Sequence, residues 1–284
     1  MYAFMIGTHR GLYTLEICPE TEVSNMQLIR GGHSYGICQF RDLIYAKQSD
    51  HHIGKYSYLD GKLEFIGKFS VELETPPKAV HQISVDKDGT LLLVDTHNNR
   101  LLRVDGSGEL ISIYRLGPEN NDVLHLNSVF TTNSHIHLLA HMGDTPPSKL
   151  ITFENRNHLE QVTERSLVYS GCHNIYLDSS HVYFNASRQG QLVKYDLSTK
   201  RTDSLNYGGH VKGMSVIQNY MVIGVSETKV RAERKLSRAS IAFVNLDDFS
   251  KHRLFQLRSD EEGNEIGNVN EIRCLSHVEK SYNA

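Results

Sequence analysis

The 284-residue chain has no tryptophan, only six prolines and only four cysteines. Cys18, Cys38, Cys172 and Cys274 lie far apart and form no CxxC. That excludes a zinc ribbon or a thioredoxin-type redox motif, and reduced core thiols are expected. No Pro-, Gly- or Ser-rich stretch reads as an interdomain linker, so a single domain over residues 1–284 is expected. No apolar run approaches the roughly 20 residues of a membrane-spanning helix. The opening "MYAFMIGTHRGLYTLEI" lacks a basic start, a long apolar region and a small-residue cleavage site, and reads as strand. A cytoplasmic protein without a membrane partner is the expectation. Excess positive charge is also missing: 30 Lys and Arg stand against 33 Asp and Glu, a net charge of −3. A general nucleic-acid partner, which needs a basic field to meet phosphate, is therefore not expected. P-loop, GxSxG, HExxH and dinucleotide fingerprints are all absent, as is any long amphipathic helix.

What is present is a repeat. "HQISVDKDGTLLLVDTHNNRLLRV" starts at His81, "HLNSVFTTNSHIHLLAHM" at His125 and "HNIYLDSSHVYFNASRQGQLVKYD" at His173, at spacings of 44 and 48 residues. Similar units start at His33 and His210. Each gives a short apolar strand, a polar turn, a second strand ending in a small polar residue, and a third strand such as "RLLRVD" or "SIAFVN". Alternation with β-branched and aromatic residues supports strands throughout. The chain ends supply a sixth unit, "GNVNEIRCL" serving as first strand and "YAFMIGT" and "GLYTLEI" as second and third. Six units of about 47 residues match four-stranded propeller blades. The expected fold is all-β: a six-bladed β-propeller, its ring closed by pairing the N- and C-terminal strands in one blade.

The stretch "DKDGTLLLVDTHNNRLLRVD" is similar to blades of the NHL and gluconolactonase-like six-bladed propellers. That resemblance speaks for the fold and little for function, because the fold carries many chemistries. Sugar-lactonase propellers hold a hard cation mainly with carboxylate and Asn ligands, and this chain offers histidine instead. In layout it looks more like the histidine-lined propeller lyases, such as the peptidyl-hydroxyglycine amidating lyases, where histidines of several blades hold zinc in the central channel.

In a propeller the start of each first strand lies at the top mouth of the channel, so a repeated histidine there places imidazoles around one axis. His81, His125 and His173 align best and are the expected ligands of one divalent transition metal, zinc first, with manganese, iron or nickel as alternatives. His33 and His210 start slightly earlier, as a fourth ligand, as an acid or base, or as part of a rim loop. Tyr35, Lys212 and Glu271 are further candidates for proton transfer, and Asn270 and Arg188 for substrate contact. The loops joining second to third strands ring the same face, in "THRG" (His9), "SDHHIG" (His51, His52), "THNNR" (Arg100) and "HMGDTPPSK" (His141, Asp144). The last blade inserts "SETKVRAERKLSRAS", in which Arg231 and Arg234 belong to a basic segment suited to carboxylate, sulfate or phosphate. The leading expectation is a metal-dependent lyase, epimerase or hydrolase acting on a small polar anion, such as a sugar acid or nucleotide sugar. The competing one is a non-catalytic propeller binding a protein or carbohydrate, its histidines a solvated polar rim. Oligomeric state is not legible.

Overall fold

A computed structural model describes residues 1–18, 23–49, 52–143, 146–154, 159–258 and 263–275. Asp144 and His51 lie outside them. Six four-stranded antiparallel sheets stand in a ring. Blade one pairs Val269–Cys274 with Tyr2–Thr8, followed by Gly11–Ile17 and Val23–Gly31. The inner strands of blades two to six are Ile37–Phe40, Val80–Val85, Leu126–Thr131, Cys172–Leu177 and His210–Ile217. The ring closes in blade one, where Phe4 lies opposite Cys274, Ile6 opposite Ile272 and Gly7 opposite Glu271. The one helical element among the described residues is a 3₁₀ segment, Arg231–Leu236, within the basic insertion.

Burial grades outward along each blade, and the sequence shows why. Second strands such as Leu91–Asp95, "LLLVD", are buried at every position because neighbouring blades cover both faces. Outermost strands such as Glu160–Ser166 are polar and exposed. The core lies between blades: Phe4, Ile6 and Ile272 of blade one pack with Val222, Ile241 and Phe243 of blade six. Turns follow their chemistry. In "DKDG", Gly89 has φ +88° and donates its N–H to the Asp86 carbonyl at 3.0 Å.

The small polar residues that end several second strands have a defined task. Thr96 Oγ1 donates to the Leu126 carbonyl and Ser187 Oγ to the Val211 carbonyl, while Ser226 Oγ accepts from Val269 N–H at 3.0 Å. Each bond ties one blade to the next inner strand.

A second device recurs below the top face. The ladder between first and second strands slips by a residue in five blades, leaving Gln82, Asn127, Asn174, Gly213 and Asn270 as bulges. Gly36, with φ +44°, stands at the matching place in blade two. Bulges bend a strand and re-aim its side chains. Here they turn amides across the channel: Gln82 Oε1 accepts from Val129 N–H, Asn127 Nδ2 donates to the Cys172 carbonyl, and Asn174 Oδ1 accepts from Gly213 N–H.

Candidate functional site

The bulges supply a register that the histidine spacing alone does not. The residue just before the bulge is Tyr35, His81, His173 and Lys212 in blades two, three, five and six. In blade four it is Leu126, and His125 stands one residue earlier with φ +48°. The expected equivalence of His81, His125 and His173 therefore needs correction: the pair His81 and His173 is matched by Tyr35 and Lys212, and His125 is offset. His33 and His210 match each other, three residues before the bulge.

Seen from the top, the rings form a nearly continuous arc. Ring centroids are 4.1 Å apart for His9 and His33, 4.5 Å for His33 and Tyr35, and 5.1 Å for Tyr35 and His81. The arc continues from His81 to His125 at 5.1 Å, to His141 at 4.8 Å, to His173 at 4.9 Å and to His210 at 6.3 Å. His9 and His141 come from loops joining second to third strands. Their residue type and expected top-face position were both visible in the sequence, but their insertion between the first-strand histidines was not.

Burial keeps four of these imidazoles, His9, His81, His173 and His210, neutral. It lowers His81 and His173 well below the ordinary histidine range, with His125 next in weight for His81 and Lys212 for His173. Burial also lowers His210 to about 2, helped by Lys212 and Arg234, and His9 to about 3, helped by His33. The unfolded chain takes up protons near pH 6.5 that the folded mouth refuses, so this stability is complete above pH 6.5 and lost as pH falls. Denaturant midpoints at pH 7.5, 6.5 and 5.5 are expected to show a loss steeper than the roughly 1.4 kcal/mol per pH unit of a single group. A flat profile over that range would contradict the neutral ring.

Three Nδ1 atoms are held from behind. His81 Nδ1 lies 2.6 Å from Thr96 Oγ1, His125 Nδ1 2.7 Å from Asp122 Oδ2, and His173 Nδ1 3.1 Å from the Gly171 carbonyl. Thr96 spends its own proton on Leu126, so His81 must be the donor there. Each Nδ1 therefore carries a hydrogen, and in neutral His81 and His173 Nε2 carries the lone pair. The rings nonetheless lie along an arc: among the described residues no group of three or more His, Cys, Asp or Glu is placed to hold a metal ion.

Below the arc, Tyr35, His81, His173, Lys212, Asn270 and Glu271 line a cavity of about 10 Å³, room for about one water molecule. Lys212 is 6% exposed, and burial lowers it to about 7, aided by Arg234 and Arg231 and opposed by Glu271. Glu271 is 1% exposed, and burial raises it. Its carboxylate accepts from Gln82 Nε2 at 3.0 Å and from Asn174 Nδ2 at 3.2 Å. Among the described residues, the buried polar atoms around this mouth without a protein partner include His210 Nε2 and Asn270 Oδ1, the latter on an amide that donates to the Ser34 carbonyl at 2.9 Å. Orphaned buried polar atoms are uncommon enough to mark places a ligand can satisfy.

The basic insertion lies beside this end. Asn268 N–H donates to the Arg234 carbonyl at 2.9 Å, and the backbone of Arg234 and Lys235 packs on Gly267 next to His9. Arg231 is exposed and Arg234 half-buried. Exposed Arg188 lays its methylenes over Gly171, beside His141.

Arg100 is different. Expected to bind substrate, it is 1% exposed with its guanidinium engaged on every side: Nε to Asp95 at 2.7 Å, Nη1 to Glu119 at 3.0 Å and Nη2 to the Thr75 carbonyl at 2.6 Å. It is a brace. Arg100→Ala leaves Asp95 buried and unpaired, and a destabilisation of about 3–5 kcal/mol is expected in urea titration. Lys47, which did not stand out in the sequence, is 7% exposed and lies 5.4 Å from the centre of the Tyr35 ring. It occupies the end of a second strand, where blades one, three, five and six place Thr8, Thr96, Ser187 and Ser226.

No protein-family model matches the chain, and no curated protein matches it significantly. Solved structures do. A nidogen/laminin complex contains a chain with 12% identity and a TM-score of 0.68, covering 96% of this chain and 98% of that one. The periplasmic gluconolactonase of Pseudomonas aeruginosa gives 10% and 0.62, covering 96% and 98%. Virginiamycin B lyase from Staphylococcus aureus gives 14% and 0.53, covering 82% and 72%. At such identities the likeness shows the propeller fold.

Proposed function

We propose that this propeller is a hydrolase or lyase acting on a small polar anion, a sugar acid in the first instance, at the top mouth of its channel. The observation that carries the reading is Lys212, a buried lysine lowered to about 7 beside the neutral imidazoles of His81, His173 and His210. At pH 7 its Nζ is divided between ammonium and amine, the condition under which one group both gives and takes a proton efficiently. Arg231 and Arg234 lie close enough to depress Lys212, and their charge favours an anion above it. Neutral His81 and His173 present Nε2 lone pairs as acceptors, and Glu271 fixes the amides of Gln82 and Asn174 beneath. The gluconolactonase and the lyase among the structural neighbours are consistent with hydrolysis or elimination chemistry on this scaffold.

One divalent transition ion, zinc before manganese, iron or nickel, is proposed as cofactor. His81, His125 and His173 would have to turn inward from the arc to supply Nε2; the hydrogen bond behind each Nδ1 is the usual arrangement behind a metal-bound histidine. When bound, such an ion polarises a carbonyl or activates water.

The test is a turnover screen of sugar-acid lactones and anionic sugars, with the Arg231→Ala/Arg234→Ala double variant alongside wild type. KM for an anionic substrate is expected to rise roughly tenfold or more, and the pH profile of kcat to move to higher pH, because the same arginines help depress Lys212. Unchanged KM would remove the insertion from the site. A screen without turnover in which carbohydrate still binds would instead favour the non-catalytic propeller.

A further inference from the structure

The channel has a second opening, unrelated to the proposed chemistry. At the end opposite the histidines, all six inner strands converge on a cavity of about 290 Å³. This is close to the lower size of small-molecule sites, about 300 Å³. Its wall combines two features. Phe130 and Tyr176 meet edge to face at 5.4 Å, with Phe40 also lining the space. Arg41, Lys87 and Arg273 contribute positive charge, and no Asp or Glu is among the lining residues. Arg41 is held over the Phe40 ring at 5.1 Å, with φ +55° at its own backbone. Arg273 directs Nε and Nη2 to the Ile37 carbonyl at 3.3 and 3.2 Å, which fixes its guanidinium in the wall. Gln39 donates Nε2 to the Arg41 carbonyl at 2.9 Å, leaving its buried Oε1 without a hydrogen-bond partner. Aromatic faces and a one-signed charge are complementary to a flat apolar body carrying a carboxylate.

We infer that this lower cavity is a second ligand site, for an aryl carboxylate. It is separate from the mouth: Gln82 and Asn174, bonded to Glu271, form the floor between the two spaces. The site stands whether or not the mouth is catalytic.

The probes are 4-hydroxybenzoate and 2-naphthoate, each compared with its neutral alcohol, in calorimetric titration of the full chain. Both carboxylates are expected to bind at least about tenfold more tightly than the alcohols. Phe130→Ala, which removes one of the two aromatic faces that meet in the wall, is expected to weaken binding about tenfold or more. Arg41→Ala and Lys87→Ala, both at exposed positions and safe for folding, are expected to weaken it about three- to tenfold each. His81→Ala, at the other end, should leave it unchanged. The inference fails if no probe binds up to about 10 mM, or if alcohol and acid bind alike. It also fails if affinity is unchanged in folded Phe130→Ala, or if His81→Ala rather than Phe130→Ala removes it.

Discussion

Lys212→Met is expected to raise stability while lowering turnover by about 10²- to 10⁴-fold. The two signs come from one cause. A lysine at about 7 in the folded protein and near its ordinary 10.5 when unfolded disfavours folding wherever the unfolded chain binds the extra proton. That cost is complete below pH 7 and is relieved as pH rises from 7 to 10.5. The shift corresponds to roughly 5 kcal/mol at its fullest. Methionine keeps most of the volume without the charge, so the gain should be large at pH 6, smaller at pH 8 and nearly gone by pH 10. Lys212→Arg should lose both stability and turnover, because guanidinium stays charged throughout. Thermal melts of the three proteins across this pH range check the stability arm, and substrate turnover checks the other. A gain in stability with a loss of activity is the signature of a residue kept for function at the expense of the fold. If Lys212→Met instead melts lower at every pH, the lysine is a structural strut and the proposed acid–base role fails.

The fold was legible because the features that fix it are local and repeated. Alternation within "DKDGTLLLVDTHNNRLLRVD" defines strands, "DKDG" defines their turn, and the small polar residue at Thr96, Ser187 or Ser226 marks where a second strand ends. Closure was legible because "VNEIRC" completes the pattern that "YAFMIGT" begins. The site was legible only in outline. Histidine spacing placed imidazoles at the mouth, yet it put His125 in line with His81 when the bulge register makes Lys212 the closer equivalent. A bulge adds one residue without disturbing the composition of the strand, so periodicity cannot see it. Arg100 failed for another reason. Its partners Asp95, Glu119 and Thr75 lie 5, 19 and 25 residues away, and only the packed blade shows that they surround it. Lys47 was missed because a lysine ending a strand normally faces solvent, and the Tyr35 ring beside it comes from the loop that enters the inner strand of the same blade.

Replacing single histidines by alanine is expected to separate the cofactor proposal from a purely organic acid–base site. Protein purified without a histidine tag should carry close to one transition metal per chain, and His81→Ala and His173→Ala should each lose most of it. His125→Ala should lose less, since its backbone turns out of the register that the other two share. Thr96→Val tests positioning: it removes the acceptor that fixes the His81 tautomer, and metal affinity is expected to fall about 10- to 100-fold with the ligand itself intact. Elemental analysis and a chelator competition read these changes directly, and an unchanged melt shows that the ring of blades has not opened. Equal retention of metal in all three histidine variants would exclude this ligand set. Turnover by protein that stays metal-free after reconstitution would exclude the metal altogether. Proton transfer would then rest on Lys212 and the neutral pair His81 and His173, which the bulges place at one level of the channel.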